Sequence, residues 1–368
     1  MKGKTRWLAL LTIAALVVAA CGDDSSGGSA EDCAETDTVR LQLQWVAQAQ
    51  FAGYFVAEDL GFYADQCLEV EILEGAVEIV PQQVLATGGA EFGLAWVPKA
   101  LVSREQGADI VNIAQVFERS GTLEVSFKDA GITTPEDWAG KTIGNWGFGN
   151  EYELTAAITR FGVADVELIA QSFDMLALLN GDIDAAEAMI YNEYAQVLEA
   201  ENPDTGELYQ PEDLNVIDFN DVGTAMLQDA VWVNADWIAE AGNDDIAVRF
   251  LTASFRGWIH CLDNFDECVD VVLNNGSTLG ESHQQWQLNE ILGLVFPASN
   301  GIGVMNENLW NQTVDVATTE IPDLAGVDIS ADAYRTDLAE DAIANISDMD
   351  TDGDGYTRRD ITLNPGGE

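Results

Sequence analysis

Hydrophobic and polar residues alternate in three short stretches near the start of the chain, and apolar residues at helical spacing fill the gaps between them. The alternation at residues 39–45, 68–72 and 91–96 predicts three β-strands. The stretches 51–62 and 78–87 carry apolar residues at helical spacing and end near glycines, which predicts two helices. Strands and helices in this alternating order predict a parallel sheet with right-handed crossovers.

The same order of elements begins again after residue 127. Residues 141–146 and 166–169 have the pattern of strands, and the stretch between them carries one apolar helical stripe. Asn150, followed three residues later by Glu153, is placed to cap that helix. Two successive α/β units predict two lobes, and helical spacing across residues 229–310 predicts that the chain then returns to the first lobe.

A tryptophan stands at the predicted carboxyl end of a strand in three places. Trp45 and Trp96 belong to the first unit, and Trp146 belongs to the second. Ligands of open parallel sheets bind beyond the carboxyl ends of the strands. Aromatic faces that converge on one cleft from two lobes can enclose a flat ring. We therefore expect a cleft between the lobes that binds a planar ligand.

Residues 1–20 combine a basic start with an apolar run that is closed by small residues, and Cys21 follows directly. A basic region before a short apolar region is typical of a secretory signal and not of a membrane span. The position of Cys21 predicts cleavage before it and lipid attachment to its sulfur. Residues 21–38 are rich in Gly, Ser and acidic residues, which predicts a flexible linker. We expect an extracytoplasmic protein that is attached to the membrane by its lipid anchor alone.

The formal net charge is −49, although 47% of the residues are hydrophobic. Such acidity argues against nucleic acid as a partner and against anionic ligands, because both require basic surfaces. The hydrophobic fraction argues against a disordered acidic protein, since it supplies enough material for a core. We expect an acidic surface around an ordinary core.

The chain has four cysteines beyond Cys21, an even number that predicts two disulfides in an oxidising compartment. We expect Cys261 and Cys268 to form a local bridge, and Cys33 to pair with Cys67 and fasten the linker to the first lobe. A zinc site is disfavoured because no close CxxC pair is present and the chain has two histidines.

Four segments resemble the periplasmic substrate-binding proteins of ABC importers, and more narrowly the group that binds thiamine pyrimidine precursors, riboflavin or alkanesulfonates. The segments are 44–72 (QWVAQAQFAGYFVAEDLGFYADQCLEVEI), 88–121 (GGAEFGLAWVPKALVSREQGADIVNIAQVFERSG), 131–146 (GITTPEDWAGKTIGNW) and 178–194 (LLNGDIDAAEAMIYNEY). The resemblance implies the type II clamp of that family, an α/β fold with two lobes that each contain a mostly parallel sheet flanked by helices. It implies chain crossings near residues 122–127 and 229–234, with residues 39–125 and 230–330 in the first lobe and 126–229 in the second.

The resemblance also implies a set of ligand-binding residues. Trp45 matches the aromatic residue after the first strand, and residues 191–193 match a segment that contacts ligand from the second lobe. The carboxylates of Glu193 and Asp229 are suited to accept hydrogen bonds from an aminopyrimidine ring. The residues expected at the cleft are Trp45, Gln50, Phe51, Tyr54, Trp96, Trp146, Asn150, Glu151, Tyr191, Asn192, Glu193 and Asp229.

The function implied is that of a lipid-anchored, substrate-binding subunit of an ABC importer, which delivers a flat heteroaromatic vitamin precursor to a permease and its ATPase. A thiamine pyrimidine precursor of the hydroxymethylpyrimidine type is the first expectation. Riboflavin is the alternative, because its larger ring would use the same stacking. We expect a monomer without a cofactor and without catalytic activity. A sulfonate ligand is disfavoured because positive charge is scarce in this chain.

A pyrimidine-synthesising enzyme of the same fold is the alternative from another class. The fungal relatives of that kind depend on a dense cysteine motif, a donor histidine and a lysine that holds pyridoxal phosphate. In this chain the cysteines are dispersed, and Lys99, Lys128 and Lys141 are the lysines that remain after the expected cleavage. An enzyme would need one of these lysines and a histidine in the cleft.

Residues 331–368 are expected to form an acidic C-terminal tail. Its segment 350–355 (DTDGDG) has the spacing of an EF-hand calcium loop. Position 12 of such a loop is Ile361 here instead of a glutamate, and an aspartate stands one residue early. The tail is therefore a candidate for weak Ca²⁺ binding, against a solvated acidic tail, with the ligands Asp350, Asp352, Asp354 and Asp360.

Overall fold

The structure, a computed structural model, describes residues 33–276, 278 and 280–368. The expected signal sequence 1–20, the lipidation site Cys21 and most of the linker 21–38 lie outside the described residues. No helix within the described ranges is long and apolar enough to cross a membrane.

Strands and helices alternate along the described chain. The strands are β1 (Asp37–Gln42), β2 (Leu68–Leu73), β3 (Phe92–Ala95), β4 (Ile110–Gln115), β5 (Thr122–Phe127), β6 (Thr142–Asn145), β7 (Glu167–Ala170), β8 (Ala186–Met189), β9 (Leu214–Asp218) and β10 (Ala230–Asn234). The α-helices are α1 (Ala52–Asp59), α2 (Phe62–Asp65), α3 (Pro81–Ala86), α4 (Val97–Glu105), α5 (Tyr152–Arg160), α6 (Leu176–Leu179), α7 (Glu193–Leu198), α8 (Phe219–Val222), α9 (Ala235–Ile238), α10 (Asn243–Asp263), α11 (Phe265–Asn274), α12 (Glu281–Val295), α13 (Glu307–Glu320) and α14 (Asp337–Ala344). The helix predicted at 51–62 is split into α1 and α2, because Gly61 between them adopts a left-handed conformation with φ of 74°.

The first lobe is built on a five-stranded sheet with the order β2-β1-β3-β10-β4. Strand β1 pairs in parallel with β2 and β3, whereas β10 is antiparallel to both of its neighbours. Helices cover both faces of this sheet: α1 and α10 share one core with it, and α4 and α13 share another. Burial on both faces explains the nearly continuous apolar run of β10.

The second lobe repeats this plan with a smaller sheet. Strand β5 lies antiparallel between β8 and β9, and β6 pairs in parallel with β7. An isolated bridge between Ile143 and Ala185 joins the two groups, which gives the order β7-β6-β8-β5-β9. In each lobe, one antiparallel strand lies next to an edge. The expected two-lobed α/β architecture is confirmed.

The structure moves the boundary between the lobes. Both stretches expected as crossings are strands within a sheet: β5 lies in the second lobe and β10 lies in the first. Residues 122–125, assigned above to the first lobe, therefore belong to the second. The chain passes between the lobes at residues 116–121 and 224–229, directly beside these strands.

Residues 331–368 pack onto the first lobe and, at their end, onto the second, where the Gly366 N–H donates to the Glu199 carbonyl oxygen at 3.2 Å, so they do not form a solvated tail. The apolar face of α14 is buried against α10, with Leu338 and Ala342 in the core. Farther along, the Tyr356 hydroxyl donates to the Asn289 backbone oxygen at 2.6 Å, and the Arg358 Nε lies 2.7 Å from a Glu290 carboxylate oxygen. The expectation of a tail was wrong because it weighed the acidic residues and not the apolar spacing of residues 338–346.

Both expected disulfides are confirmed, as Cys33 is bonded to Cys67 and Cys261 to Cys268. The second bridge joins the end of α10 to α11, inside the core of the first lobe. Near it, α1 crosses α10 so closely that a Cβ atom on Gly257 would collide with the carbonyl oxygen of Gly53. Glycine at position 257 therefore sets the distance between the two helices.

Candidate functional site

A cavity of about 490 Å³ lies between the two lobes. Its first-lobe wall comes from the segments that follow β1, β2 and β3, and its second-lobe wall comes from those that follow β6, β7 and β8. These are the carboxyl ends of parallel strands, where ligands of such sheets bind. Eight of the twelve residues expected at the cleft lie in its wall: Trp45, Gln50, Trp96, Trp146, Asn150, Tyr191, Asn192 and Glu193.

Aromatic rings from both lobes meet across the cavity. Trp45 of the first lobe lies 4.7 Å from Phe173 of the second, measured between ring centroids. Trp146 is nearly parallel to Phe173, with an interplanar angle of 12° and a centroid distance of 6.0 Å. Phe173 was missed by sequence analysis because it follows β7 in an irregular segment without periodic pattern. The grouped flat faces suit a planar ring.

Asp229 holds the first-lobe wall in place from behind, and it does not line the cavity. Its Oδ1 accepts hydrogen bonds from Gln44 Nε2 at 2.6 Å and Trp96 Nε1 at 2.8 Å, and its Oδ2 accepts from Gln50 Nε2 at 2.9 Å. Burial raises the pKa of Asp229 to about 6, against the lowering effect of these donors. The expectation that Asp229 contacts ligand is replaced by a positioning role, because side chains of the wall occupy its oxygens.

Gln50 links Asp229 to Gln48 through hydrogen bonds, so that the Asp229 carboxylate fixes the orientation of both amide groups. Since Gln50 gives its amide N–H to Asp229, its Oε1 is left to accept from Gln48 Nε2 at 2.7 Å. Gln48 lines the cavity, and because one of its amide N–H groups is fixed by Gln50, its carbonyl oxygen is oriented to accept a hydrogen bond from a ligand. We call these three residues the Asp229–Gln50–Gln48 chain.

Glu193 is the acidic group of the second-lobe wall. Its oxygens accept from the Met189 backbone N–H at 3.0 Å and from Asn192 Nδ2 at 2.9 Å. Burial raises the pKa of Glu193 to about 7. Asn192 is fixed in turn, because its Oδ1 lies 2.9 Å from His283 Nε2, and Nδ1 of the same ring lies 2.7 Å from Glu199.

Lys99 is a wall residue that sequence analysis did not select. It lies with Ser103 on the face of α4 that borders the cavity, and Gln106 continues that face directly after the helix, as residues about one turn apart do. Its Nζ lies 3.2 Å from Oδ1 of Asn150 in the other lobe. Among the described residues that line the cavity, Lys99 and Glu193 are the two charged ones. Its place at helical spacing after Trp96 was the signal that could have identified it.

Besides Asp229, three expected residues lie outside the cavity wall. Phe51 and Tyr54 are buried in the first-lobe core, where Tyr54 packs edge-on against Trp258. They point away from the cavity because the turn before α1 presents Gln48 and Gln50 to it instead. Glu151 accepts from the Gly149 backbone N–H and is not part of the wall. Asn150 does not cap α5, which begins at Tyr152 with no side-chain cap.

Three further carboxyl groups are buried behind the second-lobe wall. Glu153 accepts from the Ser120 hydroxyl and the Met226 backbone N–H, both at 2.7 Å, so that it joins both chain crossings to α5. Glu187 accepts from the Trp146 backbone N–H at 3.0 Å, and Glu124 lies opposite it in the β5–β8 pair. Burial raises the pKa values of Glu153 and Glu187 to about 8 and that of Glu124 well above its usual range.

The aspartates of the calcium-loop segment do not come together around one point. Asp350 accepts a hydrogen bond from the Gly353 backbone N–H at 2.9 Å, as in a tight turn. In the ranges that the structure describes, no three His, Cys, Asp or Glu side chains are placed to hold one metal ion. The structure thus gives no geometric support to a calcium site made of Asp350, Asp352, Asp354 and Asp360.

Known proteins resemble this chain in sequence over most of its length. Residues 48–268 match the family model described as NMT1/THI5 like. The formylaminopyrimidine-binding protein of Halalkalibacterium halodurans is 26% identical over 270 residues, which cover 72% of this chain and 77% of that protein. The riboflavin-binding protein RibY of Chloroflexus aurantiacus is 26% identical over 294 residues, which cover 75% of this chain and 78% of that protein.

A solved structure adds evidence on the fold. The alkanesulfonate-binding protein SsuA of Xanthomonas axonopodis pv. citri superposes with a TM-score of 0.59 at 15% identity, and the match covers 82% of this chain and 99% of that one. At this identity the likeness concerns the fold alone. The chain therefore has the periplasmic-binding-protein fold.

Proposed function

This chain belongs to the NMT1/THI5-like family, and we propose that it is the substrate-binding subunit of an ABC importer that captures a thiamine pyrimidine precursor. The observation that carries the proposal is the cavity between the lobes, in which flat aromatic faces adjoin the Glu193 carboxyl group. Stacking would hold a heteroaromatic ring, and Glu193 and Gln48 would accept hydrogen bonds from its amino group. The formylaminopyrimidine-binding relative supports this class of ligand.

The test is a titration of intrinsic tryptophan fluorescence in high salt, with the chain from residue 22 onward, which retains every residue that the structure describes. Formylaminopyrimidine and hydroxymethylpyrimidine are expected to give saturable quenching. Replacing Trp146 by Ala should weaken binding by about tenfold or more, because the stacking face is lost. Trp237→Phe is the matched control, since Trp237 packs on Phe92 and does not line the cavity. If none of the probes changes the fluorescence of the folded protein, the proposed ligand class is refuted.

Riboflavin is the second candidate, and the number of aromatic rings in the cavity wall favours it. Several large rings line the space, more than a single pyrimidine ring can contact at once: Trp45, Trp96, Trp146, Phe148, Phe173 and Tyr191. The riboflavin-binding relative matches a similar share of the chain. If riboflavin competes with the pyrimidines for the site and binds more tightly than they do, the protein would be assigned to flavin uptake.

A binding role fits the cavity better than pyrimidine synthesis. Lys99 lies in the wall, as a lysine that holds pyridoxal phosphate would have to, but neither His260 nor His283 lines the cavity to act as the donor. The relatives that match most of the chain are binding proteins by name. Mixing with pyridoxal phosphate should give no internal aldimine absorbance, and the appearance of that band would favour the enzyme.

We also propose the anchored, extracytoplasmic location and the partners that such a role requires. The basic and apolar residues 1–20, together with Cys21, support lipid attachment, and two disulfides suit an oxidising compartment. The protein would work as a monomer that docks onto a permease with its ATPase. Labelling with a radioactive fatty acid should mark the wild-type chain and not Cys21→Ser, and label on both would argue against this anchor.

A further inference from the structure

Lys99 is the one cation in the cavity wall of the described chain, and its hydrogen-bonding capacity is largely unused. An ammonium group has three N–H donors. Within the described residues, Asn150 Oδ1 at 3.2 Å is the acceptor within hydrogen-bonding distance of its Nζ. The side chain is half-buried because it borders the cavity. Its remaining donors therefore have the cavity as the place to find a partner.

Desolvation of the Lys99 ammonium group makes a hydrogen bond to such a partner energetically favourable. Desolvation lowers the pKa of Lys99, against the opposing pull of Glu151, Asp229 and Glu187. A partly desolvated ammonium whose donors lack acceptors is costly, and a ligand that supplies an acceptor recovers that cost. Recognition at this point would therefore contribute to affinity and not only to position.

We propose that Lys99 is a ligand-binding residue that donates a hydrogen bond to a neutral carbonyl oxygen of the bound heteroaromatic compound. The inference deepens the proposed function and rests on it: the ring stacks between the lobes, its amino group faces Glu193, and its carbonyl-bearing part reaches Lys99. The ligand class is thus a heteroaromatic ring with a carbonyl group, and not a bare aminopyrimidine.

A neutral acceptor fits better than an anionic one. Glu193 lies in the wall of the same cavity, and Asp229 lies directly behind the first-lobe part of that wall. An anion would be bound by one lysine while it faced these acidic groups, in a chain of formal charge −49. Alkanesulfonates should therefore not bind, although the fold is shared with a protein that binds them.

The test combines two ligands with three proteins. The ligands are formylaminopyrimidine and 4-amino-2,5-dimethylpyrimidine, which keeps the ring and its amino group but has no carbonyl. The proteins are the wild type, Lys99→Met, which keeps the length without a donor, and Lys99→Gln, which restores a neutral donor. Urea unfolding checks that each variant is folded, and binding is measured by fluorescence titration.

Lys99→Met should weaken binding of the formyl compound by about tenfold to a hundredfold, the range of a hydrogen bond to a charged donor. Binding of the dimethyl compound should change by less than about threefold, because it never used the lysine. Lys99→Gln should recover part of the loss. If riboflavin is the compound that binds, its ring carbonyls should show the same loss and recovery.

Equal losses for both pyrimidines would overturn the inference and leave the proposed function standing, since the lysine would then act only through its contact with Asn150. Methanesulfonate binding that depends on Lys99 would overturn the neutral class of acceptor. Wild-type protein that binds none of the compounds would refute the proposed function and the inference with it.

Discussion

Replacing Asp229 by Asn tests whether a residue outside the cavity sets the polarity of its wall. The carboxylate accepts from Gln44 and Trp96 at one oxygen and from Gln50 at the other. At pH 7.5 the group is ionised in most molecules, because its pKa is raised only to about 6. An asparagine can keep the oxygen that serves two donors, but its NH₂ group then faces the NH₂ group of Gln50.

We expect this conflict to be resolved by rotation of the neighbouring amide groups. Two donors that face each other cost about 1–3 kcal/mol, so Gln50 is expected to rotate its amide and offer Oε1 to the asparagine. That rotation turns its NH₂ group toward Gln48, which must rotate as well. Gln48 would then present a donor to the cavity where it had presented an acceptor. A ligand amino group at that point would lose a hydrogen bond and meet another donor.

We expect Asp229→Asn to raise the Kd of formylaminopyrimidine by about tenfold to a hundredfold, while the free energy of unfolding falls by no more than about 2 kcal/mol. Fluorescence titration gives the Kd, and urea unfolding gives the stability. Glu124→Gln is the matched control, because that carboxyl group is equally buried but does not touch the cavity. A Kd within twofold of the wild type in folded Asp229→Asn protein would refute the reasoning.

Two further predictions concern stability. In 2 M NaCl the free energy of unfolding should fall between pH 5.5 and pH 7.5 in urea titrations, because Glu153 and Glu187 keep their protons to about pH 8 when folded but ionise near 4.5 when unfolded. Each such group contributes about 1.4 kcal/mol per pH unit, so Glu187→Gln should reduce the slope of unfolding free energy against pH by that amount. A free energy of unfolding that rises with pH in this range would contradict the raised pKa values. Gly257→Ala should lower stability by about 1–3 kcal/mol through the clash of α10 with α1, whereas Gly355→Ala, in open space, should change it by less than about 0.5 kcal/mol. Equal losses of stability in Gly257→Ala and Gly355→Ala would show that α1 and α10 can move apart to accommodate the added Cβ atom.

The order of strands and helices, and through it the location of the cavity, follows from local patterns in the chain. Alternation every second residue and apolar spacing every third or fourth are properties of single elements, so they can be recognised without a partner. Alternating elements force parallel sheets, and parallel sheets place their strand ends together. For that reason Trp45, Trp96 and Trp146 could be assigned to one cleft before any contact was known. The disulfide pairs were also within reach, since only four cysteines had to be matched.

Which side chains face one another across that cleft depends instead on contacts between distant parts of the chain. Gln44 and Asp229 are 185 residues apart, and their hydrogen bond exists because β10 returns to the first sheet between β3 and β4. Phe173 carries no local pattern that distinguishes a wall residue from a surface residue. Phe51 and Tyr54 match the expected segment but lie on the core side of its turn. The rotation of a helix or turn about its axis depends on the packing of distant elements, and it decides whether a residue meets the ligand or the core.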